Sequence, residues 1–280
     1  MNISEVRELL LNAPTEDQLA ELAQDQRAGV RKMLAAYYKR QKQAEVERER
    51  FHKMMSYERQ YYAEGAKLIA GVDEAGRGPL AGPLVIAAVV LPQDVFISGL
   101  NDSKQISASK RDKLYDEVLR KALSVSVNIV SISNIDELNI YRATQQGMGE
   151  VLLHLDKQPD VALIDAMPVE AGNIKTISLV HGDALSASIA AASIVAKVTR
   201  DRIMEKLAVL YPEYGFAGNK GYGSREHMQA IDDNGATCWH RRSYEPVKSM
   251  NLEAVEKREN ILYSPLKDDY NKILDQYQNG

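Results

Sequence analysis

The stretch that decides the fold is Leu68-Ile-Ala-Gly71-Val-Asp73-Glu74-Ala-Gly76-Arg77-Gly78-Pro-Leu-Ala-Gly82-Pro83. It joins an apolar run to two adjacent carboxylates and then to a segment rich in glycine and proline. A short apolar run that stops at such residues is typical of a buried strand, here from Leu68 to Asp73. The carboxylates therefore stand where a strand ends, which is a common place for functional side chains.

Asp73 and Glu74 can converge on one site only if the chain turns immediately after Asp73, because neighbouring strand side chains point to opposite faces. Gly76 and Gly78 favour such a turn and let backbone N–H groups approach a ligand closely. Arg77 between them supplies a planar charged group suited to phosphate. The patterns G-x-x-x-x-G-K-[ST] and G-x-G-x-x-G are absent from this stretch, so it is not a nucleotide-binding phosphate loop.

Further strands and helices follow along the chain. The Leu68 strand and the next one are joined by a loop without helical pattern, which predicts an antiparallel pair in a mixed sheet. The class is therefore α/β, with a mixed central sheet flanked by helices in a domain over residues 66–247. The other predicted strands are Val85–Leu91, Val125–Ser131, Val161–Asp165 and Lys175–Leu179, and the predicted helices are Ser107–Leu123, Ile135–Leu155 and Leu185–Leu210.

Residues 1–65 are predicted to form a helical N-terminal extension. Thr15 and Gln18 have the capping-box spacing, helix-forming residues continue to Tyr62, and Gly65 ends the helix. Basic and aromatic residues alternate in its second half, as in an arm that contacts nucleic-acid backbone. Acidic residues are mixed among them, which favours the other interpretation, a solvated helix laced with ion pairs. Residues 248–280 are polar and are predicted to be a tail, helical in part or disordered.

The bulk composition limits the class of protein. The chain has 280 residues, 45% of them hydrophobic, and a net charge of −4. A single cysteine, Cys238, excludes an intramolecular disulfide framework and a cysteine zinc site. The first ten residues lack an uninterrupted apolar core and no stretch is apolar enough to span a membrane, so we expect a cytoplasmic protein without a membrane partner. We also expect it to be a monomer.

Two further acids occupy element ends. Asp165 closes the apolar run Val-Ala-Leu-Ile, and Asp183 precedes a helix of small residues. Carboxylates without His or Cys partners suit Mg²⁺ or Mn²⁺, and several together could hold two ions that activate water for phosphodiester cleavage. Acids at such places are also common as helix caps, turn residues or solvated charges. The residue pattern alone leaves both roles open.

A resemblance to a known family favours the catalytic role. The string from Asp73 to Pro83 resembles the opening signature of bacterial ribonuclease HII, a type 2 ribonuclease H. Later blocks are similar to that family in the same order, and the match covers about residues 66–247. These blocks are Asp102-Ser103-Lys104, Leu-Ile-Asp165, His181-Gly-Asp183 running into Ser188-Ile-Ala-Ala-Ala-Ser193-Ile-Val-Ala-Lys197-Val-Thr-Arg-Asp201, Lys220-Gly-Tyr222-Gly, and His240-Arg-Arg-Ser-Tyr-Glu-Pro-Val247.

The resemblance implies a ribonuclease H-like fold and metal-dependent endonucleolytic cleavage of RNA in RNA–DNA hybrids and at single ribonucleotides in duplex DNA, leaving 3′-hydroxyl and 5′-phosphate ends. Asp73, Glu74, Asp165 and Asp183 would hold Mg²⁺ or Mn²⁺, two ions with substrate bound. Three roles in substrate binding follow from the same resemblance. The Gly76-Arg77-Gly78 turn would read the 2′-hydroxyl, Tyr222 would pack on the sugar of the following deoxynucleotide, and Lys104 would contact phosphate, with Asp201 helping to order the site.

Three other functions are weighed against the ribonuclease HII interpretation. Ribonuclease HIII shares the chemistry, but Arg77 between two glycines and a helical N-terminal arm favour type HII. A metal-dependent phosphatase would also use aspartates, yet the chain carries no nucleophile motif for it. A noncatalytic nucleic-acid-binding module could work through the basic arm, but four acids at element ends are typical of an enzyme.

Overall fold

The computed structural model describes residues 1–250, which form two compact units. One unit spans Met1–His52 and the other begins at Lys53. The predicted tail lies outside the described residues beyond Met250, and before that point Val247–Ser249 form a short 3-10 helix. Among residues 1–250, no helix combines the length and the apolar character that crossing a membrane requires.

The first unit is built from helices around a small apolar core. Helix α1 (Ile3–Leu11) and helix α2 (Glu16–Ala23) both begin with capping boxes, at Asn2 and at the predicted Thr15. Helix α3 (Ala28–Met54) follows a turn in which the carboxylate of Asp25 accepts the backbone N–H of Arg27. The single long helix expected from Thr15 to Tyr62 is therefore wrong in its continuity. The core residues of this unit are Val6, Leu10, Leu22, Val30 and Leu34.

Helix α4 (Ser56–Ala63) belongs to the second unit and packs on its sheet. Tyr61 lies in an apolar cluster with Ile69 and Leu163. The fully buried carboxylate of Glu58 accepts hydrogen bonds from Ser186 Oγ at 2.6 Å and from the Ser188 N–H at 2.9 Å. Burial raises the pKa of Glu58. These bonds tie α4 to the start of a later helix that borders the site.

The second unit is a five-stranded mixed sheet in the order β3-β2-β1-β4-β5. Strand β1 pairs antiparallel with β2 and parallel with β4, so the predicted mixed sheet and antiparallel first pair are confirmed. Strands β2 and β3 are antiparallel, and β4 and β5 are parallel. In chain order the elements are β1 (Ile69–Ala75), β2 (Leu84–Val90), α5 (Ala108–Lys121), β3 (Ser124–Val130), α6 (Ile132–Leu138), α7 (Ile140–Leu153), β4 (Val161–Asp165), β5 (Lys175–Leu179), α8 (Gly182–Leu185), α9 (Ala187–Leu210), α10 (Phe216–Asn219) and α11 (Arg225–Asn234).

One predicted helix is divided in the structure. The expected helix Ile135–Leu155 is α6 followed by α7, because Asn139 takes a positive φ of 65° between them. The Asn139 side chain accepts the backbone N–H groups of Tyr141 and Arg142 and so caps α7. Asparagine is among the few residues that adopt positive φ and cap a helix at low cost.

Helices cover both faces of the sheet. Helix α7 places Met148 and Leu152 in the cluster that contains Val72 and Ile86. Helix α9 covers the other face, where Gly71 allows it to approach closely: a Cβ on Gly71 would lie 1.9 Å from the backbone carbon of Ser188. Only glycine fits there, and this close packing fixes α9 and the segment before it against the carboxylate end of β1.

Candidate active site

Two of the predicted acids lie side by side where the pairing of two neighbouring strands ends. In the parallel pairing of β1 with β4, Val72 lies opposite Ile164, so the next residues, Asp73 and Asp165, leave the pair side by side. Asp73 is buried, with 5% of its surface exposed. The carboxyl ends of adjacent parallel strands are where α/β proteins build their sites.

The chain turns later after Asp73 than the sequence analysis expects. Strand β1 continues through Ala75, which pairs with Val85, and the chain turns at Gly76 with φ of 101°. Strand pairing at Asp73 and Glu74 is therefore regular, although the backbone N–H of Glu74 also donates to Asp73 Oδ1 at 2.7 Å. The turn that was expected immediately after Asp73 begins at Gly76 instead, so the expectation that the two acids meet only through a turn at Asp73 is wrong: the charge of Glu74 acts on Asp73 from within a regular strand.

Asp183 is brought to the site by the loop after β5. His181 takes a left-handed conformation with φ of 57° and starts the short helix α8, in which Asp183 lies in the first turn. The backbone N–H of Gly182 donates to Asp165 Oδ1 at 2.7 Å. A Cβ on Gly182 would lie 3.2 Å from the same oxygen, so a glycine here permits the contact. Asp165 is thus hydrogen-bonded to Gly182, the residue directly before Asp183, and this bond keeps the two acids close to each other.

Electrostatics show that the carboxylates crowd one another. Burial raises the pKa of Asp73 well above its usual range, and the charges of Glu74 and Asp165 raise it further. Burial also raises the pKa of Glu74, against the attraction of Arg77, whose Nη1 lies 3.6 Å from Glu74 Oε1. Like charges held this closely in a buried place call for a positive group among them.

Lys104 supplies part of that positive charge. Although burial opposes it, the attraction of four acids raises the pKa of Lys104. Burial and the neighbouring Asp102 raise the pKa of Asp183. Asp102 is thus a member of the cluster that the sequence pattern did not indicate. The four acids that act on Lys104 are Asp183, Asp73, Asp102 and Asp165.

The carboxylate oxygens of this cluster have the chemistry that a hard divalent cation prefers. The acids supply oxygen ligands of the kind that Mg²⁺ and Mn²⁺ prefer, and their mutual repulsion is the electrostatic condition that a bound cation relieves. Within residues 1–250, no three acid, His or Cys side chains are already arranged to hold one ion.

Two buried arginines hold the glycine turn beside the acids. Arg241, fully buried, donates to the carbonyl oxygens of Gly76 at 2.5 Å, Arg77 at 2.8 Å and Gly82 at 3.0 Å. Arg200, 1% exposed, donates to Pro83 O at 3.0 Å. Both arginines fall inside the sequence blocks that resemble the family, but their role in holding backbone carbonyls could not be read from residue type, since arginine is usually exposed.

The fixed carbonyls determine where the N–H groups of the turn point. A trans peptide unit is planar, with its N–H antiparallel to its C=O. Because the carbonyls of Gly76 and Arg77 point to Arg241, the N–H groups of Arg77 and Gly78 point away from it. The Tyr244 hydroxyl also donates to Arg77 O, at 2.7 Å. The turn thus presents the N–H groups of Arg77 and Gly78 as two donors whose orientation is already fixed.

Tyr222 lies next to this turn. A Cβ on Gly78 would be 3.6 Å from Tyr222 Cε1, so the ring lies close to the turn with room for no more than a small side chain between them, and half of the residue is exposed. Its loop is bound to the same segment, since the carbonyl of Gly221 accepts the N–H groups of Leu80 at 2.8 Å and Ala81 at 3.2 Å. The predicted substrate residues Gly76, Arg77, Gly78 and Tyr222 are therefore neighbours.

Asp201 reaches the site only through other side chains. It pairs with Lys197 Nζ at 2.6 Å and with Arg111 Nη2 at 3.8 Å. Arg111 donates to the carbonyl of Ser103, next to Lys104, at 2.9 Å. This chain of contacts fits the predicted ordering role of Asp201.

Comparison with known proteins gives the family. The family model for ribonuclease HII matches residues 70–247, and that for the ribonuclease HII N-terminal domain matches residues 2–62. Ribonucleases HII of Bacillus anthracis and Bacillus mycoides are each 46% identical to the chain over 252 residues, which cover 89% of it and 98% of the relative.

Solved structures agree with this result. Ribonuclease H2 of Pyrococcus horikoshii is 30% identical, with a TM-score of 0.56 over 65% of this chain and 96% of that one. Ribonuclease HII of Archaeoglobus fulgidus, solved in complex with PCNA, is 25% identical, with a TM-score of 0.53 over 70% of this chain and all of that one. The fold is ribonuclease H-like, as the resemblance implied, and the chain belongs to the ribonuclease HII family of ribonuclease H enzymes.

Proposed function

We propose that this enzyme hydrolyses the RNA strand of RNA–DNA hybrids, nicks duplex DNA at single embedded ribonucleotides, and leaves 3′-hydroxyl and 5′-phosphate ends. Family membership supports ribonuclease H chemistry. The observation that carries the finer proposal is the placement of clustered acids beside a turn with two preorganised N–H donors. The acids suit phosphodiester hydrolysis, and the donors suit recognition of a sugar hydroxyl.

The metal-binding residues in this proposal are Asp73, Glu74, Asp165 and Asp183. Their crowding and hard oxygen chemistry favour Mg²⁺ or Mn²⁺. These four residues would hold two such ions, which would supply activation of a water and stabilisation of the leaving oxygen. Asp165 would be held in place for this by the Gly182 N–H, while Lys104 would keep part of the negative charge balanced and contact a substrate phosphate.

The chain's own groups position the RNA. The N–H groups of Arg77 and Gly78 would meet the 2′-hydroxyl, the one group that distinguishes RNA from DNA at a nucleotide. They cost no reorganisation, since Arg241 already fixes the peptide planes. Tyr222 would pack on the sugar of the next nucleotide, which selects a deoxyribose there and gives a preference for RNA-to-DNA junctions.

A single labelled duplex tests the proposal. It contains one ribonucleotide, is incubated with Mg²⁺, with Mn²⁺ or with a chelator, and is compared with an all-DNA duplex of the same sequence. We expect a nick at the ribonucleotide that needs the metal and is absent from the DNA control. Binding without a nick would identify a noncatalytic module, and hydrolysis of nitrophenyl phosphate without a nick would identify a phosphatase.

A further inference from the structure

Two buried histidines lie next to the Tyr222 loop and have no part in the proposed chemistry. His227 is in the first turn of α11, and His240 forms an isolated bridge with Ala81. They are 0% and 1% exposed, and their Nε2 atoms are 3.0 Å apart. The rings of Tyr214 and Phe216 pack against both.

The backbone determines which nitrogens carry hydrogen. Nδ1 of His227 lies 2.9 Å from the carbonyl oxygen of Tyr222, which can only accept, so this Nδ1 is protonated. At the other end, the backbone N–H of Thr237 donates to Nδ1 of His240 at 2.9 Å. That Nδ1 is therefore unprotonated.

Only one arrangement of the pair satisfies both ends. His240 carries its hydrogen on Nε2 and donates it to Nε2 of His227, so both rings are neutral. A proton added to His227 would place two N–H groups face to face, and one added to His240 would oppose the Thr237 N–H. Burial lowers the pKa of both rings, that of His240 to about 3, which agrees with the hydrogen-bond pattern.

This directed series of hydrogen bonds ends on the backbone of Tyr222. Its carbonyl receives the His227 bond and a second one from the Ser224 N–H at 2.8 Å. With both bonds made, the peptide plane after Tyr222 is fixed, and the ring of the same residue lies close to Gly78. The orientation of the Tyr222 loop therefore depends on two imidazoles that stand apart from the clustered acids.

We propose that His227 and His240 form a positioning pair, held in fixed neutral tautomers, that sets Tyr222 beside the glycine turn and thereby sets the preference for an RNA-to-DNA junction. The inference rests on the proposed function, in which Tyr222 packs on the junction sugar. It assigns specificity to residues that are remote from the bond being cut.

Two substitutions at one position separate positioning from packing. Asparagine places its amide nitrogen close to where histidine has Nδ1, so His227→Asn keeps a donor for the Tyr222 carbonyl. Glutamine places its amide near the position of Nε2, so His227→Gln keeps a partner for His240 and loses that donor. Both remove the ring, and a purely structural role would make their effects on specificity alike.

The readout is the ratio of kcat/KM on the single-ribonucleotide duplex to kcat/KM on a continuous hybrid. We expect His227→Asn to stay within about twofold of the parent, and His227→Gln to lower the ratio about tenfold, as loss of one buried hydrogen bond does. Tyr222→Ala should lower it at least as much. Equal ratios for the two His227 variants, or a parental ratio in Tyr222→Ala, would overturn the inference. Failure of the parent to cut either substrate would instead reject the proposed function.

The unsubstituted protein offers a second test that does not depend on how variants fold. Nitrogen-15 NMR of labelled histidine distinguishes Nδ1–H, Nε2–H and charged rings. At pH 7 we expect His227 as the Nδ1–H tautomer and His240 as the Nε2–H tautomer. The reverse tautomers, or a charged ring at either position, would refute the proposal that His227 and His240 form a neutral positioning pair.

Discussion

Gly71→Ala tests whether the close approach of α9 to β1 builds the site. The new Cβ would lie 1.9 Å from the Ser188 carbonyl carbon and 2.2 Å from the Ile189 nitrogen, where ordinary contacts begin at 3.4 Å. Helix α9 must therefore retreat by about 1.5 Å, the difference between those distances. Backbone atoms cannot escape by a change of rotamer, so the strain falls on the whole helix.

The magnitude follows from that displacement. Overpacking costs about 1–3 kcal/mol, and a backbone clash belongs at the upper end. For a domain of this size about 3 kcal/mol lowers Tm by roughly 6–12 °C. Asp183 precedes α9 by four residues, so its carboxylate should move relative to Asp73. A shift of about 1 Å between reacting groups costs on the order of 100-fold in rate.

Thermal unfolding and single-turnover cleavage of a hybrid measure the two effects. The matched control is Gly218→Ala in α10, where a Cβ meets nothing within 4 Å. It should stay within about 0.5 kcal/mol of the parent and cleave at the parental rate. Parental Tm in Gly71→Ala would refute the packing argument. A lower Tm with an unchanged rate would show that this contact does not place Asp183.

Three further predictions concern charge. Asp73→Asn should lower cleavage on the order of 100-fold or more, because it removes charge where cations are needed, while fluorescence anisotropy shows retained hybrid binding; full activity would contradict the assignment. The pKa of His240 is near 6.5 in the unfolded chain, and burial lowers the pKa to about 3 in the folded protein. Between those two values the unfolded chain binds more protons. The free energy of unfolding therefore decreases by about 1.4 kcal/mol per pH unit, through His240, as the pH falls. The stability deficit of His240→Gln in urea unfolding should therefore narrow from pH 7 to pH 5, and a constant deficit would show that the imidazole is not held neutral. Replacing the exposed Lys32, Lys39 and Lys42 of α3 by Gln should weaken hybrid binding and flatten its salt dependence by about 0.9 in slope for each phosphate that the helix no longer neutralises; an unchanged slope would remove this helix from substrate binding.

The strands were predictable because their signal is local. Apolar runs bounded by glycine, proline or polar residues placed all five strands within one or two residues of their observed ends. The breaks within helices were not predicted, since they depend on single residues such as Asn139 and on packing in three dimensions. Helix α1 carries a local signal in the sequence too, since Asn2 and Glu5 have the same capping-box spacing as Thr15 and Gln18.

The positions of the candidate acids could be predicted from the sequence better than those of the residues that surround and hold them. Asp73 and Asp165 end apolar runs, so their meeting follows from parallel pairing of those runs. Asp102 joins the cluster from a loop whose path no periodicity reveals. Arg200 and Arg241 are buried where they donate to carbonyls such as those of Pro83 and Gly76, more than 100 residues away, a relation that exists only in the folded chain.

The position of Arg241 has a consequence for synthesis of the protein. The carbonyls of Gly76 and Arg77 emerge from the ribosome long before the guanidinium that orients them. Until residue 241 has been added, the carbonyls of Gly76, Arg77 and Gly82 lack the hydrogen bonds that this one side chain supplies. Under the proposed function, the ability to distinguish RNA from DNA would arise only after residue 241 has joined the fold.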